Sequence, residues 1–501
     1  MRGPAKHLTK GVAIYGAGDA AIQIVNFVLL SVYVKGGFLN AVDYGALLIL
    51  ISVETFAKVI SRWGLDGAFM RFYHDRDEGP DRQRMASTIV WFMLVVDSLL
   101  VTAALAVSGR FARHMFADPQ YLSALRLMLV NTFLIGFTFL PFHAMRMRDQ
   151  AAAYSGFTFA RSVGTVLLRI LFVIVVRHGI TGMYLADLTM TVILLPWLWP
   201  WVRPLLRPVF STAELRAALR FGLPRLPHGL AQQALDGGNK ILLSRYISPA
   251  QLGVYQNGTT LGTAIKFFTS AFETAWAPFY YTTSRQPDAK QVFRKMTTYG
   301  VAVLVLLVAG TTAVARDAIL VVLKPEYIGA ARVIPLIATG LALQGVYLLT
   351  SIGLNLTRRT EFYPVATFAA AAVGLGSGVM LMPRYGILGA ATAFLLSYLT
   401  QASVAFALAQ RFYPVAYETG RLARVVAAGV AATAAGLWAV PSMPALAGLF
   451  ARGAATVVTY VALLWVSGFF RPTERAFMRE MIAQVRRRRG AAGGRSPIDA
   501  N

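Results

Sequence analysis

Not one of the 501 residues is cysteine. That rules out disulfides, thiolate nucleophiles and cysteine-based metal sites, and leaves the redox compartment undetermined. Histidine is scarce too. The six are scattered with no pair at ligand spacing, so neither a metal centre nor a cofactor is called for. Charge is also in short supply for a chain of this size. Only 14% of residues are Asp, Glu, Lys or Arg, where a soluble chain needs about a quarter to cover its surface. With 56% of residues hydrophobic, the chain reads as an all-α integral membrane protein. Acid is the scarcer sign of charge: 48 Lys and Arg face 23 Asp and Glu, a net charge of +25. In a soluble protein that excess would raise nucleic acid as a partner. Here membrane topology explains most of it, and no nucleic acid is expected.

Apolar windows of about 20 residues predict about fourteen transmembrane helices, at 11–34, 41–61, 86–107, 121–143, 152–176, 180–201, 221–245, 250–282, 296–315, 329–353, 362–382, 386–410, 422–441 and 446–469. The first follows a basic start and is too long for a signal-peptide core, so it is read as an uncleaved span. With the N-terminus inside, the cytoplasmic segments carry 31 Lys and Arg and the opposite side eight. The positive-inside rule therefore places both termini in the cytoplasm. The polybasic Arg486–Arg489 tail is expected to rest on anionic lipid, and the Trp-rich stretch 196–201 to form an interfacial belt. Asp75-Arg76-Asp77 has the form of a sugar-nucleotide motif, but such triplets are common in solvated loops and no strand precedes this one.

Nine cations fall within or at the edges of spans (Lys58, Arg126, Arg161, Arg169, Arg225, Lys240, Lys266, Arg332, Arg452), against six carboxylates (Asp19, Glu54, Asp97, Asp187, Asp236, Glu273). One such residue at a helix centre costs about 2.5–3.5 kcal/mol on insertion scales, so a hydrated, net-positive cavity is expected. Helical spacing gathers the candidates into stripes. The fifth span carries Thr158, Arg161, Ser162, Thr165 and Arg169 on one face. That face is either an anion site or a set of ion pairs with Asp19, Asp187 or Asp236. The seventh carries Arg225, Gln232, Asp236 and Lys240 with Asn239 beside them, and the eighth Thr259, Thr263, Lys266, Ser270 and Glu273. Lys266 has no acid three or four residues away, which makes it a candidate anion-binding cation. Asp236–Lys240 and Glu54–Lys58 are spaced to neutralise each other. The first span offers Asp19, Gln23 and Asn26, with Asp19, Glu273 or Asp236 as candidate coupling groups. Pro224, Pro227, Gly229 and Gly237-Gly238 give the seventh span points at which to break.

Four short matches at an offset of 206–208 indicate an internal repeat. Gly45 matches Gly253, Phe72-Tyr73 matches Phe279-Tyr280, Pro119-Gln120-Tyr121 matches Pro325-Glu326-Tyr327, and the Arg177–Gly182 segment matches Arg384–Gly389. The expected organisation is a six-helix bundle over 1–202, a cytoplasmic amphipathic linker over 203–220 and a second six-helix bundle over 221–411. Two additional helices over 412–470 and a basic cytoplasmic tail over 471–501 complete it.

Phe221-Gly222-Leu223-Pro224, Gly238-Asn239-Lys240-Ile241-Leu242-Leu243 and Leu252-Gly253-Val254-Tyr255 resemble the seventh–eighth span region of bacterial polysaccharide and O-antigen flippases. These belong to the multidrug/oligosaccharidyl-lipid/polysaccharide exporter superfamily. Ala275-Trp276-Ala277-Pro278-Phe279-Tyr280 and Tyr385-Gly386-Ile387-Leu388-Gly389-Ala390-Ala391 are similar to two further stretches of it. The chain departs from the pattern at Asn239, where an acid is usual. The resemblance implies two pseudo-symmetric bundles working by alternating access in the bacterial inner membrane. It also implies that the cargo is an undecaprenyl-pyrophosphate-linked oligosaccharide, and that polysaccharide polymerase or assembly proteins are partners. The alternatives are a multidrug or small-ion antiporter, for which the charge excess has the wrong sign, and a membrane glycosyltransferase or polymerase. The latter needs a larger outer loop than the roughly 13 residues of 108–120 and 316–328.

Overall fold

The computed structural model describes residues 29, 31–73, 79–116, 118–148, 150–223, 225–266, 269, 272–273, 276, 279–280, 283–357, 359–472 and 474. Asp19, Gln23 and Asn26, the Asp75-Arg76-Asp77 triplet and the Arg486–Arg489 tail lie outside the described residues. So do the side chains of Arg225 and Asp236.

Among the described residues the regular structure is entirely helical. Ten helices are long and apolar enough to cross a membrane, which makes this a multi-pass membrane protein. In chain order the first half comprises α1 (Ala41–Arg62), α2 (Leu65–Tyr73), α3 (Pro80–Met115), α4 (Tyr121–Gly136), α5 (Phe139–Met147), α6 (Ala151–Arg169) and α7 (Gly179–Val202). The linker helix α8 (Thr212–Gly222) leads into α9 (Arg225–Gln233), α10 (Asn239–Leu243) and α11 (Pro249–Gly262). Then follow α12 (Ala289–Val322), α13 (Ile334–Thr350), α14 (Ile352–Leu356), α15 (Phe362–Phe412), α16 (Thr419–Trp438) and α17 (Ala445–Val466).

The fourteen expected spans are not all present as single uninterrupted helices. The 51-residue α15 covers two of them and turns at Pro383 and Gly386, where φ is +53°. The 221–245 window is helical but passes through a π-helical turn at Ala234–Gly238, within the stretch whose prolines and glycines mark it as breakable. Such turns are frequent at functional sites.

Bilayer lipid is as apolar as leucine, so helices in it associate through close packing of small residues rather than through hydrophobic burial. The contact of α1 with α11 is of this kind, and it is reciprocal. A Cβ on Gly45 would lie 2.3 Å from the Pro249 carbonyl oxygen, and a Cβ on Gly253 would lie 2.0 Å from that of Ala41. Gly45 and Gly253 are repeat mates at 208, and so are Ala41 and Pro249. Each half thus presents the same residue position to the other, which is what two copies make about a two-fold axis. A second pair of mates agrees. Gly179 and Gly386 both take positive φ, +54° and +53°, where a side chain would be strained. Beyond the repeat, α16 and α17 pack on α12.

Candidate functional site

The face of α6 that carries the polar stripe looks inward, and its opposite face (Phe159, Val163, Leu167) is exposed and apolar, as lipid requires. All five stripe residues, Thr158, Arg161, Ser162, Thr165 and Arg169, line one cavity of about 450 Å³. Arg62 of α1, Thr138, Tyr154, Val166, and Phe139, Phe142 and His143 of α5 complete its wall. From Tyr154 to Arg169 the wall runs about 22 Å along the helix. A second cavity, of about 370 Å³, is lined by Thr55, Lys58, Val59, Arg62, Gly64 and Asp66 from the first half and by Leu226 and Gln233 of α9. It lies between the two halves and shares Arg62 with the first.

The two arginines of the stripe differ sharply. Arg169 makes a two-pronged ion pair with Asp187 of α7, Nε to Oδ1 at 3.0 Å and Nη2 to Oδ2 at 2.8 Å. Asp187 is in turn tied into α4: Thr191 donates to the Asp187 carbonyl and to Asn131. Of the two readings open for the stripe, ion pairing is therefore what Arg169 displays. Arg161 is partly buried on the same face and has no ion pair or hydrogen bond among the described residues. The charges near enough to act on it are Asp187, Glu54 and Arg62. Glu54 is already held by Lys58 at 2.5 Å, and Arg62 is only loosely held by Asp66 at 3.8 Å. What remains is a guanidinium with open donors facing a polar-walled cavity beside a second arginine. That is the chemistry of a phosphate or carboxylate site.

The other candidates are placed elsewhere. Gln232 accepts from Gln401 of α15 at 3.4 Å, and Gln233, one position on, lines the second cavity instead. Asn239 is 2% exposed and packs against Gly374 and Gly378 of α15. It therefore sits in a helix seam and not on a cavity wall, because the glycines let α15 come close. Lys240 and Lys266 are half-buried, each engaged by another group, and Lys266 lines neither cavity. Glu273 is exposed, near Tyr347.

Arg62 is the cavity residue that sequence reasoning missed. It stands one residue beyond the apolar window 41–61, where charge begins. The available signal was its place on the Glu54–Lys58 face of α1, four residues beyond Lys58.

The end of this interface farther from Arg62 is shut. Where α1 meets α11, Tyr44 is 3% exposed and Tyr327 is fully buried, and the Tyr121 hydroxyl donates to Asp43 at 2.8 Å. Both cavities lie toward the Arg62 end of α1, away from this seal.

A family model described as polysaccharide biosynthesis protein matches residues 37–332. No curated protein sequence matches the chain. Among solved structures, the fold is similar to "Lipid II flippase MurJ, inward closed conformation", at 11% identity and TM-score 0.71, covering 94% of this chain and 100% of that one. It is also similar to an inward-facing multidrug resistance MATE family transporter of the MOP superfamily, at 15% identity and TM-score 0.60, covering 80% and 95%. A MOP superfamily transporter from Pyrococcus furiosus, described by the reverse polarity of its binding pocket, follows at 16% identity and TM-score 0.53, covering 84% and 96%.

Proposed function

The chain belongs to the polysaccharide biosynthesis protein family, and from that premise we propose that it is an alternating-access flippase. Its cargo is an undecaprenyl-pyrophosphate-linked oligosaccharide, carried from the cytoplasmic to the periplasmic leaflet of the bacterial inner membrane. The observation that carries this reading is Arg161, a partly buried guanidinium without a partner among the described residues, on the wall of a cavity that Arg62 also lines. An unpaired cation in a membrane interior is costly, and an anionic cargo repays the cost. A pyrophosphate offers the oxygens that arginine forks fit.

In this mechanism the diphosphate enters from the side of Arg62 and is held between Arg62 and Arg161. The hydroxyls of Thr158, Ser162 and Thr165 line the same wall, and the aromatic groups Phe139, Phe142 and Tyr154 give sugar rings a surface to lie on. Arg169 contributes position more than binding, because Asp187 already takes its charge. The reciprocal glycine contact closes the outer side in this state, and its separation admits the cargo to the far leaflet. Lys266, Lys240 and Arg225 remain candidates for contacts made after that movement, and Asp19, Asp236 and Glu273 for energy coupling. The excess of cations speaks against a cationic drug as cargo.

The test is export in cells. Arg161→Glu is expected to abolish surface polysaccharide while the protein is still made and inserted, with lipid-linked repeat units accumulating on the inner leaflet. Full export by that variant, or export of single unpolymerised units, contradicts the reading. Lys266→Glu applies the same test to the second candidate cation.

A further inference from the structure

Asp97 plays no part in the mechanism above, yet it is a buried carboxyl group with no ion pair among the described residues. It stands at the middle of α3 and is 3% exposed. One of its oxygens accepts the Trp63 indole N–H at 3.1 Å. The other is buried with no hydrogen-bond partner. Trp63 itself packs into an apolar cluster with Leu65, Phe69, Met93 and Phe139, edge-on to Phe92 at 5.8 Å.

Among the described residues no charged group on a neighbouring element bonds to Asp97. On α1, Lys58 is paired with Glu54 and Arg62 with Asp66 of α2. On α4, Arg126 donates to Ser108, eleven residues beyond Asp97. The linker, with Arg203, Arg207 and, on α8, Glu214, Arg216 and Arg220, meets α3 nearer its start, around Gln83, Ser87 and Trp91, and on α5 His143 lies against Phe139 while Arg148 donates to Tyr73.

A carboxylate with one oxygen buried without a partner, and no cation paired with it among the described residues, is costly to keep charged, and a group so placed takes up a proton instead. The neutral acid suits what is there, since its carbonyl oxygen still accepts the indole. We propose that Asp97 is a proton-binding site, and that its bound proton holds Trp63 and the end of α1 in the arrangement seen here.

Trp63 caps α1 in the left-handed region, at φ +51°, a conformation that costs a non-glycine residue about 1–2 kcal/mol and so needs an anchor. The residue before it, Arg62, lines both cavities. The residue after it, Gly64, lines the second and abuts the Gly222 carbonyl at the end of the linker helix. Loss of the proton charges Asp97, which then draws toward water and gives up its apolar site. The turn carrying Arg62 is released with it. A proton at Asp97 is thus linked to the cation that meets the cargo and to the joint between the halves. The proton site stands on its own; its use in transport rests on the flippase reading.

Infrared spectroscopy of the purified full-length protein in lipid nanodiscs at neutral pH tests the site. A protonated-carboxyl band is expected in the wild type, shifted in Trp63→Phe and missing in Asp97→Asn. A wild type without the band, or an Asp97→Asn variant that keeps all of it, overturns the proposal. The coupling is tested separately by export under a collapsed proton gradient. Export by the wild type is expected to fall and that by Asp97→Asn to become insensitive. Undiminished sensitivity in Asp97→Asn overturns the coupling and leaves the cargo reading untouched.

Discussion

The two halves share a scaffold but not a chemistry. At the offset of 207 fixed by Gly179 and Gly386, the stripe Thr158, Arg161, Ser162, Thr165 and Arg169 corresponds to Val365, Phe368, Ala369, Ala372 and Gly376. The first set lines a polar-walled cavity. In the second, Val365 and Phe368 are exposed hydrophobic groups. The duplication has kept what shape requires, glycines where backbones touch or turn, and has let the polar wall go from one copy. On the proposed function, an anionic cargo is held from one side only, and the symmetric glycine contact is left to do the moving.

The largest expected effect breaks the chemical half of that comparison. Arg161→Glu is expected to abolish export, and the neutral Arg161→Gln to lower it about 10- to 100-fold, since a charged hydrogen bond contributes about 1.5–3 kcal/mol. Placing an arginine at Phe368 in an Arg161→Ala background is expected to restore nothing, as read by surface polysaccharide in both strains.

Next comes the paired arginine. Arg169→Leu alone strands the Asp187 carboxylate and is expected to destabilise the protein by up to about 3 kcal/mol, whereas Arg169→Leu with Asp187→Leu recovers most of that. Thermal unfolding in detergent reads both; equal losses would contradict the pairing.

The geometric half is sharpened by Gly45→Val and Gly253→Val. Either side chain drives into a carbonyl oxygen of the other half, so the two variants are expected to behave alike and to loosen the outer seal. Because the natural chain has no cysteine, a single cysteine at Ala46, which is 5% exposed, reports this as a rise in labelling from the outer side. A rise in only one variant would contradict the two-fold contact.

The smallest effect lies outside the membrane. Burial pushes the Glu474 carboxyl up, but the Arg471 backbone N–H, Tyr299 and Arg421 outweigh it and hold the group below its ordinary value of 4.5. A depressed carboxyl contributes stability above that ordinary value and loses it as pH falls through the lower one. Thermal unfolding below pH 4.5 is therefore expected to lose a small increment that Glu474→Gln never has.

Much of this was legible in the chain. Spacing alone put Arg161 and Arg169 on one face, and four degenerate matches located the repeat whose glycines turn out to touch. What spacing cannot convey is which partner a buried charge finds across helices. Asp187 stood in the sequence as one of three candidate partners for Arg169, and only the packing of α6 on α7 selects it. Periodicity likewise placed Asn239 on a polar face, while the closeness of α15 depends on Gly374 and Gly378, more than 130 residues away. Arg62 escaped because hydropathy ends a span where charge begins, although a helix can carry its last turn into a cavity.

The central claim is that Arg161, and not Arg169, is the cation left open for an anionic cargo. Titration of the purified full-length protein with inorganic pyrophosphate, followed calorimetrically, tests it most directly. The account predicts that Arg161→Gln weakens binding at least about tenfold, the loss of one charge-assisted bond, and that Arg169→Gln weakens it less. Equal affinity in the wild type and Arg161→Gln would contradict it.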